Sequence, residues 1–236
     1  MSGRFLQIVT LLIGVSLAGC AGGPKPAEPT SPMDTAQSAV SKGMTNLERG
    51  NYLVAEKAFD RALALEPGYV PAYAGLVELA LATDRFDDGW RALDDARSGD
   101  LGDDQLRRMA TLEVRLLADE QAEDWYDAVQ DVVRTAKWEV PGGKTHPPLL
   151  HAAAQAALHA FRQSRELDRL EDARDYAERL TALDDPLSAD GQEILATVDQ
   201  IRRAQVQPDP SVANLASKRA LTRRDVAVLL QRILNL

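Results

Sequence analysis

The chain has 236 residues, a formal charge of −9 and a sequence pI near 4.9, and Phe, Trp and Tyr together make up only 5 % of it. An acidic surface cannot neutralise phosphates, so nucleic acid is excluded as a partner, and the Leu- and Ala-rich, aromatic-poor balance favours helices. The length suits one repeat array or one to two small domains.

Residues 1–19 read as an export signal. Arg4 supplies a short positive flank, and the apolar run from Phe5 to Leu17 is too short to span a bilayer. The run ends in Leu17-Ala18-Gly19-Cys20, and Cys20 is the only cysteine, so no disulfide accounts for it. This segment resembles a bacterial lipoprotein signal. The resemblance implies that Cys20 is acylated and becomes the first residue after cleavage, and that Ala21, in place of Asp, directs the protein to the outer membrane, facing the periplasm. Residues 20–34 follow as a tether, with prolines at 24, 26, 29 and 32. Polyproline-like geometry at ~3.1 Å per residue would hold the body up to about 40 Å from the lipid.

From residue 35 to 206 the apolar pattern is helical and repeats. Gly43, Gly50, Tyr52, Ala55, Phe59, Ala62 and Pro67 are similar to the tetratricopeptide pattern, in which a small residue, an aromatic, Ala, Phe, Ala and Pro recur at fixed offsets. Ala55 and Ala62 permit close helix approach, Phe59 fills the space between hairpins, Gly50-Asn51 turns the chain, and Pro67 ends the second helix. Phe86, Gly89, Leu93 and Ala96 repeat the second-helix positions 34 residues on, with Tyr73 opening the first helix. Trp125, Ala128, Val132 and Thr135 form a third set, and Leu170, Ala173, Ala177 and Leu180 a fourth. The excess spacing falls at 98–103 and 140–148, where a solenoid tolerates insertions. Ser188 to Gln205 has no partner helix and is predicted to cap the array. The fold is therefore expected to be all-α, a tetratricopeptide-like solenoid of four helical hairpins with a capping helix.

The tetratricopeptide resemblance also implies a concave protein-binding groove. First-helix positions that usually line it correspond to Gln37, Val40, Met44 and Leu47 in the first repeat and to Pro71, Ala74, Glu78 and Leu81 in the second. The family's clamp for a terminal carboxylate is absent, because Val40 and Met44 stand where Lys and Asn are needed. A mostly apolar groove suits an apolar helix or extended segment of an envelope protein or peptide.

Sites of chemistry are not evident. Gly143-Lys144-Thr145 resembles the end of a phosphate-binding loop, but the required first glycine falls on Trp138 and Pro147-Pro148 would interrupt the helix that should follow. His151 and His159 are too far apart on a helix to share one metal ion, and His146 stands apart from both. No nucleophile motif is present. No cofactor, no metal and no enzymatic activity are expected.

Charge is localised. Between Asp84 and Arg134 there are 15 acidic and 7 basic residues, which fits either an acidic face that steers a basic partner or a solvated helix face. Residues 207–236 read as a linker and a basic helix: from 211 on there are 5 Lys/Arg against 1 Asp. Leu221-Thr222-Arg223-Arg224-Asp225 looks like the opening of an S-layer homology module, which implies binding to peptidoglycan or another wall polymer. A plain amphipathic helix that docks on the array or a partner is the other reading. The function expected overall is a lipid-anchored protein-interaction adaptor in envelope assembly or maintenance, with a wall-binding structural lipoprotein as the alternative.

Overall fold

The computed structural model describes residues 26–136 and 146–205, and side-chain environments up to residue 203. Cys20, residues 1–19 expected to form an export signal, Gly143-Lys144-Thr145 and the basic segment 207–236 lie outside the described residues. The described residues contain helices and no strand. In order they are α1 (Ala36–Glu48), α2 (Tyr52–Leu65), α3 (Val70–Ala82), α4 (Phe86–Arg97), α5 (Asp103–Glu120), α6 (Trp125–Thr135), α7 (Pro147–Ser164), α8 (Leu167–Thr181) and α9 (Ser188–Gln205).

Local chemistry sets the boundaries. The Thr35 hydroxyl accepts from the Ser38 N–H at 3.1 Å and so caps one of the unpaired donors that open α1. Gly50 turns the chain into α2 at φ +72°, where a Cβ would be strained. Pro71 lies in the first turn of α3, where a missing N–H costs nothing. Pro147 and Pro148 do the same for α7. They start that helix rather than interrupt one, and His146 caps it, its Nδ1 accepting from the Leu149 N–H at 3.3 Å.

The helices pair as α1/α2, α3/α4, α5/α6 and α7/α8, and each first helix also packs on the first helix of the next pair. The result is a tetratricopeptide-like solenoid with α1, α3, α5, α7 and α9 in an inner row. Helix α9 occupies the place of a fifth first helix, against α7 and α8. It buries Gly191, Ile194 and Val198 and exposes Gln192, Ala196, Asp199, Gln200 and Arg203, the largely polar outer face that a cap requires.

Three of the four repeat registers coincide with the buried faces. Ala55, Phe59 and Ala62 are buried, as are Gly89, Leu93 and Ala96, and Leu170, Ala173, Ala177 and Leu180. Phe59 is fully buried between two glycines of neighbouring first helices: a Cβ at Gly43 would fall 2.4 Å from its ring and one at Gly75 2.3 Å. The third register is displaced by one residue. Helix α6 buries Tyr126, Val129 and Val133 together with Trp125, while Ala128 and Val132 are half-buried and Thr135 is exposed. The Tyr126 hydroxyl donates to Asp172 on α8 at 2.9 Å, and Gln130 donates to the same carboxylate at 2.9 Å, so a polar bridge fixes this face.

The described part of the Pro-rich segment is also corrected. Residues 27–34 do not stand free as a spacer but lie against α2. The Ala27 N–H donates to the Ala64 carbonyl at 2.5 Å, and Arg61 reaches both the Glu28 carbonyl at 3.0 Å and the Asp34 carboxylate at 2.5 Å. The unpaired carbonyls near the end of α2 and the Arg61 guanidinium give this chain partners that polyproline geometry alone would leave to water.

Candidate protein-binding cleft

On the inner row, where the tetratricopeptide resemblance implies a groove, the expected apolar lining residues of the first two hairpins are buried or half-buried. Ala74 is 0 % and Leu81 9 % exposed, both packed in the cluster around Val77, Leu93 and Met109. Val40, Met44 and Leu47 are half-buried and pack against Ala55, Phe59 and Leu79. The small Gly43 and Gly75 let α1 and α3 close over the Phe59 ring, so side chains at the groove positions fill that seam. Gln37 is exposed at the start of α1, and Pro71 is half-buried. Glu78 alone of the expected groove residues carries charge on this face. It forms an ion pair at 2.5 Å with Arg115 of α5.

Arg115 leads into a cleft of about 690 Å³ between α5, α7 and α9. Its floor is α7. Six alanines of α7, at 152, 153, 154, 156, 157 and 160, are buried, which brings α7 close to its neighbours. Ala152 and Ala156 leave the floor low, and between them project His151, Gln155, His159 and Arg162 at i, i+4, i+8 and i+11, one polar stripe along one helix face. One wall is Arg115 and Asp119 of α5, and the other is Asp190, Glu193 and Thr197 of α9.

The cleft mixes satisfied and free charge. Arg115 is held by Glu78, and His151 Nε2 lies 3.7 Å from an Asp190 carboxylate oxygen, a pair that becomes ionic only when the imidazole is protonated. His159 stacks edge-on to Trp125 at 5.7 Å and lies 3.2 Å from the Gln163 amide. Arg162, Asp119 and Glu193 have no ion-pair partner among the described residues, so both signs remain available to a ligand. Burial chiefly, with the Asp172 carboxylate next, raises the Tyr126 hydroxyl well above its usual range, so the bridge between α6 and α8, outside the cleft lining, stays neutral and bonded.

No group of three or more His, Cys, Asp or Glu suited to a metal ion occurs among the described residues. His151 and His159 share the cleft, and His146 stands outside it as a helix cap. Cleft residues Gln155, Arg162, Asp190 and Glu193 were not anticipated from the sequence. The signal that could have found them is the polar stripe at 151, 155, 159 and 162 inside an otherwise alanine-rich helix.

A family model described as "Tetratricopeptide repeat" matches residues 46–112, from the end of α1 into α5. Comparison with curated proteins and with solved structures finds no match. The matched span carries the strongest repeat pattern, and the hairpin arrangement continues beyond it through α8 to the cap. Such repeats form a protein-interaction fold, and the cleft lies in the continuation rather than in the matched span.

Proposed function

We propose that this chain is a lipid-anchored adaptor of the bacterial envelope, held at the outer membrane through Cys20 and facing the periplasm, which captures a segment of another envelope protein along the α5–α7–α9 cleft. The observation that carries the reading is that cleft: α5, α7 and α9 present a continuous polar depression with charges of both signs that have no ion-pair partner among the described residues. A segment with alternating charge that lays small or polar side chains over Ala152 and Ala156 fits it. The envelope assignment rests on the Leu17-Ala18-Gly19-Cys20 sequence. No helix among the described residues is long and apolar enough to cross a membrane.

Two variants test the two halves of the reading. Cys20→Ala is expected to move the protein from the membrane to the soluble fraction; full retention would remove the anchor. Gln155→Trp, at an exposed position, fills the cleft without touching the core, and is expected to abolish recovery of the partner captured by wild type while leaving the far-UV circular dichroism unchanged. If capture survives and purified peptidoglycan is retained instead through residues 211–236, the wall-binding reading replaces this one.

A further inference from the structure

A second groove lies on the opposite, outer side of the array, between α2 and α4, with α3 at its base, and encloses about 350 Å³. Leu63, Tyr73, Leu76 and Ala92 give it an apolar floor. Helix spacing extends that floor: Leu53, Glu56, Asp60 and Leu63 share one face of α2, and Leu53 is 64 % exposed, an unpartnered aliphatic side chain at the groove's end. The rims are acidic. Glu56 and Asp88 are engaged by Arg85, and Asp88 also by Arg91. Asp60 and Asp95 have no cation partner among the described residues. Partial desolvation, with the Glu56 carboxylate beside it, holds the Asp60 carboxyl above its usual range.

The chain contains a segment of matching chemistry. Between 211 and 236 it has Lys218, Arg219, Arg223, Arg224 and Arg232 against the single Asp225, and Val226, Leu229, Leu230 and Ile233 recur at helical spacing. We infer that the outer α2–α4 groove is the docking site of this chain's own residues 221–236, with Arg223 and Arg224 meeting Asp60 and Asp95 and the apolar stripe lying on Leu53, Leu63 and Leu76. Reach is sufficient. First helices packed 8–10 Å apart put α9 roughly 30 Å from α3, and the 15 residues from 206 to 220 extend to about 50 Å. The α9 face left uncovered is polar, so it offers that stripe no seat of its own. This docking is independent of the inner cleft and stands or falls separately from the adaptor reading.

Hydrogen exchange on the full chain, in dilute solution without vesicles, tests it. Amides of residues 226–233 are expected to exchange at least tenfold more slowly in wild type than in the Asp60→Lys/Asp95→Lys variant, and protection is expected to return when Arg223→Glu/Arg224→Glu is added. Unchanged circular dichroism shows that the array is intact in each. Leu53→Asp, at a site already facing water, provides a second variant with the same expected loss should the first fail to fold. Equal exchange in wild type and both groove variants overturns the inference. So does protection that appears only at concentrations where the chain dimerises, which assigns the segment to a second copy, or only on adding phosphatidylglycerol vesicles, which assigns it to a lipid surface.

Discussion

The two halves of the solenoid are held together by different chemistry. Hairpins α1/α2 and α3/α4 meet through an aromatic ring seated between glycines, with Val40, Met44 and Leu47 closing the seam around it. Hairpins α5/α6 and α7/α8 meet through an alanine-rich helix and a polar bridge, in which Tyr126 and Gln130 share Asp172 and Arg169 lies 4.5 Å over the Tyr126 ring. Close apolar packing uses up the positions that would line a groove. Alanine packing on α7 leaves the inner face low, and the cleft forms there between polar side chains. The half that keeps the repeat pattern most faithfully closes its inner face, and the half that continues beyond it carries the candidate site.

That division can be broken at graded cost. Phe59→Ala removes the ring on which the first half is built and is expected to destabilise the protein by about 3–5 kcal/mol, read as a large fall in melting temperature. Gly43→Ala and Gly75→Ala should each cost about 1–3 kcal/mol, because the buried ring has a glycine on both sides and no room to retreat from the added methyl; an unchanged melting temperature would show that the seam is looser than described. In the other half, Tyr126→Phe removes only one of the two donors to Asp172 and should cost on the order of 1.5 kcal/mol, with hydrogen exchange accelerated in α6 and α8 but not in α1 to α3.

Two smaller effects follow from titration. The His146 pKa lies below its usual 6.5, chiefly through burial and then through the nearby Arg107 charge. A depressed folded value means that the cap's contribution is fully present above about 6.5 and is lost as pH falls through the folded value, when the protonated ring can no longer accept from the Leu149 N–H. Amides at the start of α7 should therefore lose protection on mild acidification, and His146→Asn, which caps without titrating, should remove that dependence. Asp34 is held below the usual carboxylate range first by Arg61 and then by the Thr30 N–H. Its contribution is present above the ordinary value of 3.8 and lost only as pH drops through the lower folded value, so residues 27–34 should stay on α2 through mild acid and detach in strong acid.

Much of the fold was legible because spacing alone carries it: Ala55, Phe59 and Ala62, then Gly89, Leu93 and Ala96, sit 34 residues apart and bury the same face. The one-residue displacement in α6 was not legible. Trp125-Tyr126, Ala128-Val129 and Val132-Val133 are adjacent apolar pairs, so periodicity supports either register, and the choice falls to the long-range bond from Tyr126 to Asp172. Family offsets placed the expected groove positions on α1 and α3 but could not show that these helices close over Phe59. The cleft depends on α9 standing beside α7, a tertiary relation that no local pattern contains, although the polar stripe from His151 to Arg162 marks its floor.

The central claim is that ligands meet the second half of the inner row and not the first. Its most direct measurement is photo-cross-linking in cells from a single reactive side chain placed at Gln155 or, separately, at Met44. The account predicts a specific envelope-protein adduct from position 155, abolished by Arg162→Glu, and none from position 44. An adduct from position 44 with none from 155 would contradict it and return the binding surface to the α1–α3 seam.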